Sequence, residues 1–235
     1  MIPHQHDNQP AFVTFDPRQP VTIYSYHLPH WRQEGVIYFV TFRLADSIPA
    51  HVLKMWAEDR RQWLATHGIT DRLPPSQWDA LYQQIPQGVR RAFQREQSRR
   101  FYVELDQCHG SCLLRAPEAA GIVAAAMHFH HGKSLYCGDF VIMPNHVHWL
   151  VAPYPGRNLE DLVGSVKRYS AVRINKLVKR SGRLWQKESF DHIVRNAVQF
   201  DRFREYIKDN PAKANVPAEE HIYYRADYCA EVGAE

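Results

Sequence analysis

The sequence predicts an α+β domain, an antiparallel sheet packed by helices. Residues 36–44 are dense in β-branched and aromatic side chains and read as a buried strand. Residues 134–143 and 146–153 are two more strand-like runs, parted only by Pro144-Asn145, and so read as a hairpin. Between and after them lie apolar residues at helical spacing. The order is strand, helix, insertion, helix, strand, strand, long helix, extended piece, helix.

The chain has 235 residues, enough for one domain with insertions or two small ones. A hydrophobic content of 45% with 12% aromatics can fill a core. No apolar run reaches the roughly 18 residues of a membrane span. Residues 1–20 carry no apolar stretch of a secretory signal, so a cytoplasmic protein is expected. The formal charge of +4 permits nucleic-acid binding without requiring it. Of Cys108, Cys112, Cys137 and Cys229, only the first two are close in sequence. They lack the companion ligands of a structural zinc site and read as reduced thiols.

Residues 1–30, rich in Pro, His and Gln, read as an N-terminal arm ahead of a domain spanning 31–216. After the first strand, Asp46-Ser47-Ile48-Pro49 starts a helix over about 50–67, with Val52, Trp56, Trp63 and Leu64 as its apolar stripe. Residues 68–100 look like an insertion: Leu73-Pro74-Pro75, then a polar helical segment ending in Arg90, Arg91, Arg95, Arg99 and Arg100. A solvated face and a phosphate-binding patch both fit those arginines. The next helix runs from Pro117 to about His131, where Gly132 stops it. Val163, Val166, Ser170, Ile174 and Leu177 mark one face of a long helix over 159–180. A last helix over 197–208 carries Phe200, Phe203 and Ile207 and is closed by Asn210-Pro211. Residues 217–235 form a Tyr-rich tail.

The chemistry starts at His146-Val147-His148. On a strand, residues i and i+2 share a face, so both imidazoles project together and can hold one divalent ion. Two ordinary hydrogen-bonded histidines would show the same spacing. The long helix adds Tyr169, at the seam between its apolar and solvent faces, and a run of cations. Residues 157–183 hold eight Lys or Arg against two acids, Glu160 and Asp161. Both acids lie in the first turn, where the helix dipole favours them, but the positive excess is more than dipole matching requires. A phenol is a weak nucleophile at neutral pH, with a pKa of about 10. Cations beside Tyr169 would favour the phenolate, and a metal on His146 and His148 would polarise a phosphodiester.

Five motifs in this order resemble the single-tyrosine HUH transposases, in particular their REP-associated tyrosine transposase-like branch. They are Tyr38-Phe39-Val40-Thr41-Phe42-Arg43, Met143-Pro144-Asn145-His146-Val147-His148, Lys167-Arg168-Tyr169-Ser170-Ala171 with Ile174-Asn175, Leu184-Trp185-Gln186 with Phe190-Asp191, and Tyr206-Ile207 with Asn210-Pro211-Ala212-Lys213-Ala214. The resemblance spans about 36–216 and is poorest over 68–100. It implies a ferredoxin-like fold and cleavage and rejoining of single-stranded or hairpin DNA without an external energy source, by a monomer or homodimer. It further implies Tyr169 as nucleophile, His146 and His148 as ligands of Mg²⁺ or Mn²⁺, and Lys167, Arg168, Arg173 and Lys176 on the DNA.

Some relatives supply a third ligand, Gln, one turn after the tyrosine. One turn after Tyr169 stands Arg173, which cannot ligate. Asn175, Gln186, Glu188 and Asp191 are chemically able substitutes. The gap leaves open a domesticated protein that binds nucleic-acid hairpins without cutting them.

Overall fold

The structure, a computed structural model, describes residues 14–16, 18–19, 22–25 and 29–228. It divides into two compact units, one of residues 1–45 with 111–235, the other of residues 46–110.

The first unit is built on a five-stranded antiparallel sheet. Its strands are β3 (Tyr38–Arg43), β4 (Leu135–Ile142), β5 (His146–Pro153), β6 (Phe190–Ile193) and β7 (Ile222–Tyr224), in the order β6-β3-β5-β4-β7. A separate ribbon pairs β1 (Thr22–Ser25) with β2 (Pro29–Arg32). Helix α4 (Pro117–Phe129) lies between β3 and β4 in sequence, and α5 (Leu159–Leu177) between β5 and β6. Without β7 this is a βαββαβ chain in the order β6-β3-β5-β4, the ferredoxin-like arrangement that the sequence predicts. Helix α6 (Ala197–Lys213) follows β6.

Strand alternation sorts side chains onto two faces. Tyr38, Val40 and Phe42 of β3 and Val147, Trp149 and Val151 of β5 join one core with Val123 and Met127 of α4 and Val163, Val166 and Ile174 of α5. Phe39, Thr41, His146 and His148 project to the other face, where α6 lies. Phe39 stacks on Phe203 of α6 with ring centroids 4.3 Å apart. Trp149, on the α4–α5 side, is the largest fully buried side chain of that core. Truncating such a residue costs about 3–5 kcal/mol.

Residues 46–110 form α1 (Ala50–Ala65), α2 (Pro75–Gln84) and α3 (Gln87–Asp106). Ile48, Val52 and Leu105 pack with Trp56, Phe101 and Tyr102; Leu64, Ile69 and Ile85 pack with Trp63, Trp78 and Tyr82. The insertion is thus wider than 68–100, because the apolar stripe of α1 is satisfied inside this helical unit. Three of its arginines are answered by acids. Arg99 and Arg100 pair with Glu96, Arg100 with Asp59, and Arg61 with Glu58.

The limits set on composition fall differently in the structure. Strand β2 crosses the 30/31 limit of the arm, and β7 makes part of the tail a sheet edge by pairing with β4. The rest of the arm, and residues 229–235 of the tail, lie outside the described residues. Helix α6 continues past the expected stop at Asn210-Pro211 to Lys213. A proline in the last turn forfeits one amide hydrogen bond, and the end is secured by Ala214 N–H to Asn210 O (3.0 Å) and Val216 N–H to Pro211 O (2.9 Å). Asn210 therefore stays on the same helix as Tyr206.

Candidate nucleophile and metal site

The turn before β5 is tied down on three sides. Met143 N–H donates to His146 O (2.8 Å), Leu44 N–H to Asn145 O (2.8 Å) and Leu114 N–H to Pro144 O (3.1 Å). It delivers His146 and His148 to the α6 face, both with no exposure to solvent. Nδ1 of His146 lies 2.7 Å from Asn145 Oδ1, and Nδ1 of His148 lies 2.8 Å from Thr41 Oγ1. These partners occupy the Nδ1 side of each ring and orient it, as outer partners of metal-binding histidines do. The two Nε2 atoms then face each other at 3.0 Å. A metal–imidazole bond is about 2.0–2.1 Å, so nitrogens at that separation can both reach one ion.

Burial pulls the His146 pKa down to about 3, opposed by a side-chain hydrogen bond with Asn210. Burial, then His146 itself, holds His148 well below the usual imidazole range. Both rings are neutral at pH 7, the form that ligates metal. Helix α6 brings two more groups. Tyr206 Oη lies 3.4 Å from His148 Nε2, and the two rings meet edge to face. Asn210, one turn further and fully buried, is the group that bonds His146. Its amide oxygen is a hard donor suited to Mg²⁺ or Mn²⁺. Among the described residues, no three His, Cys, Asp or Glu side chains converge as a metal site, here or elsewhere. The donors that meet at the histidine pair are two imidazoles and this amide.

Helix α6 is anchored beside the pair. Arg204 Nε donates to Asp139 Oδ2 (2.8 Å), while Asp139 Oδ1 accepts from Ala226 N–H (2.9 Å). Asp139 sits in the irregular stretch of β4 between Cys137 and Phe140. Gly138 leaves room there for the C-terminal chain, since a Cβ on it would come within 2.2 Å of Tyr228 Oη.

Tyr169 does not belong to this site. It lies on α5, 52% exposed, and α5 packs on the sheet face opposite the two imidazoles. The sheet stands between the phenol and the histidines. Lys167 is turned inward. Its ammonium donates to Lys187 O (2.9 Å) and Ser189 Oγ (3.2 Å), and burial, with Arg43 nearby, lowers its pKa to about 8. Arg168, Arg173 and Lys176 are exposed on α5. Of the substitutes for a third ligand, Asn175 donates to Gly182 O (2.9 Å), and Asp191 pairs with Arg32 (2.7 Å). Asp191 stands opposite Val40, on the α4–α5 side of the sheet. The sequence held a signal for the residues that meet the histidines. Tyr206 precedes an amide, Asn210, by one turn, whereas Tyr169 precedes an arginine.

Residues 129–210 match the family model described as Transposase IS200 like. That stretch includes both histidines and ends on Asn210. This segment is similar to that family. An uncharacterized protein of Haemophilus influenzae is 23% identical over 94 residues, 31% of this chain and 52% of that protein. The chain thus spans about half the length of that curated relative. A solved structure described as a REP-associated tyrosine transposase bound to a REP hairpin is similar at a TM-score of 0.40 and 14% identity, over 81% of this chain and 73% of that one. The IS200-like segment holds β4, β5, α5, β6 and nearly all of α6, so it contains His146, His148, Tyr206 and Asn210. No helix among the described residues is long and apolar enough to cross a membrane.

Proposed function

We propose that the protein is a transposase that cuts and rejoins single-stranded DNA at a hairpin, with Tyr206 rather than Tyr169 as nucleophile. The observation that carries the reading is the approach of Tyr206 Oη to 3.4 Å from His148 Nε2, on the histidine pair. Tyr206 Oη attacks the scissile phosphorus and forms a phosphotyrosine ester. The P–O bond to the leaving strand breaks, that strand's oxygen takes a proton and leaves as a hydroxyl, and the phenolic proton passes to solvent. The ester conserves the bond energy, so return attack by a hydroxyl rejoins DNA with no other energy source. His146, His148 and the amide oxygen of Asn210 would hold Mg²⁺ or Mn²⁺. Such an ion would supply charge stabilisation to the phosphate oxygens. Asn145 and Thr41 orient the two rings. All these side chains come from one chain, which supports a site complete within a monomer. The choice of hairpin DNA follows from the resemblance of the five motifs.

The test is a denaturing gel of the protein incubated with labelled hairpin DNA and Mn²⁺. A labelled band migrating with the protein is expected from the wild type and lost in Tyr206→Phe. A labelled band of equal yield in Tyr206→Phe overturns the assignment. Binding with no adduct under any metal supports the non-cutting alternative.

A further inference from the structure

On the α6 face, aromatic rings continue past the histidine pair to the end strand of the sheet. Phe190 and His192 are i and i+2 on β6, so they share a face, while Asp191 and Ile193 turn to the other. The register sets Phe190 opposite Thr41 and His192 opposite Phe39, which places both rings on the side of His146 and His148. On the opposite side, Ile193 joins the core and Asp191 pairs with Arg32.

The rings form one series. His192 lies nearly parallel to Phe203, at 20° with 6.5 Å between centroids. Phe190 packs edge-on against His192 at 4.7 Å. Phe203 stacks on Phe39, which in turn meets Tyr206 edge to face at 6.0 Å and lies 5.4 Å from the His148 ring. Exposure rises along the series. Phe39 is buried, Phe203 and Phe190 are half-buried, and His192 is exposed. Phe203 precedes Tyr206 by about one turn of α6, so the series opens to solvent beside the turn that leads to the phenol. Core packing accounts for Phe39 and Phe203 but not for His192. An exposed position on an end strand ordinarily takes a charged side chain. Here it carries a flat ring aligned with the stack behind it.

We infer that His192, backed by Phe190 and Phe203, is a stacking platform for one unpaired nucleobase of the strand whose phosphate Tyr206 attacks. The inference rests on the function proposed above, which supplies a flat aromatic ligand at this place. A base held on the platform brings the neighbouring phosphodiester to the phenol and the histidine pair. Every base has a π-face, so the platform sets where a base lies rather than which base it is. Bases inside a duplex stem have their faces covered by their neighbours, so the platform selects the unpaired part of the substrate.

The experiment uses the full chain without metal and DNA hairpins with unpaired flanks, each carrying 2-aminopurine at one unpaired position. Stacking quenches this base, so the wild type should quench it at one or two adjoining positions. His192→Ala and His192→Leu should lose the quenching and bind the hairpin at least about five-fold more weakly, the low end of what one base stack contributes. His192→Tyr, which restores a ring, should keep both. Unchanged melting shows that the variants are folded. Tyr206→Phe should quench as the wild type does and lose only the adduct formed with Mn²⁺. Wild-type quenching and affinity in folded His192→Ala overturn the platform, as does a bound hairpin that the wild type quenches nowhere; either result leaves the Tyr206 assignment to the adduct gel. A wild type that binds no hairpin DNA overturns the proposed function and the platform with it.

Discussion

The Tyr206 hydroxyl lies 3.4 Å from Nε2 of His148, and the same nitrogen lies 3.0 Å from Nε2 of His146. A phenol, two neutral imidazoles and the Asn210 amide meet in one buried corner between β5 and α6.

Asn210 should matter through metal affinity. Asn210→Ala removes one donor and the group bonding His146. Loss of a supporting ligand typically costs 10- to 100-fold in affinity. Isothermal titration with Mn²⁺ should show a drop of about that size, while Asn210→Asp, which keeps an oxygen donor, should retain or strengthen binding. Equal affinity in Asn210→Ala would remove Asn210 from the ligand set.

Acid should destabilise the metal-free protein early. The folded His146 takes a proton only near pH 3, whereas an unfolded histidine takes one near 6.5. Its pKa is depressed on folding, so the unfolded state binds more protons throughout that window. Stability is unaffected above about pH 6.5 and falls below it, by up to about 1.4 kcal/mol per pH unit from this group. Denaturant midpoints at pH 7.5, 6 and 5 should decline accordingly, and His146→Gln should flatten the decline. Added Mn²⁺ should raise the midpoint at pH 7.5 and lose that effect as pH falls, because ion and proton compete for the same nitrogens.

The Arg204–Asp139 pair should position Tyr206. Asp139 is buried and also holds Ala226 N–H, so Asp139→Ala breaks the anchor of α6 and of the C-terminal chain together. Leaving such groups unanswered costs about 1–3 kcal/mol. Adduct yield should fall well below wild type at temperatures where the variant is still folded, and Mn²⁺ affinity should fall with it, because α6 carries Asn210 as well as Tyr206. Wild-type adduct yield and Mn²⁺ affinity in the folded variant would show that the pair does not position α6.

Gly138 should resist substitution. A Cβ there would stand 2.7 Å from Leu150 O as well as against Tyr228 Oη. Gly138→Ala should lower the melting temperature by several degrees, a larger effect than Gly121→Ala, where nothing lies within 4 Å. Equal melting of the two variants would count against the close fit at Gly138.

The sheet was readable because its strands are buried and strongly patterned. Tyr38–Arg43 and His146–Pro153 have every residue buried, and the Pro144-Asn145 turn fixes their hairpin neighbour. The histidine pair was readable because period-two alternation places i and i+2 together whatever surrounds them. The tyrosine beside that pair was not, because helical spacing gives a face but not the sheet face that the helix covers. Tyr169 and Tyr206 both sit on amphipathic helices. Only the sheet order, with α5 on the Trp149 side and α6 on the His148 side, separates them. Pro211 hid the rest. It reads as a helix stop, yet the helix runs through it and carries Asn210 on the turn after Tyr206.

The central claim is that Tyr206 carries the covalent bond to DNA. The measurement is mass spectrometry of the adduct formed with hairpin DNA and Mn²⁺, after nuclease and protease digestion. The nucleotide-bearing tyrosine should be Tyr206, in the peptide that also contains Asn210. A nucleotide on Tyr169 would contradict the account.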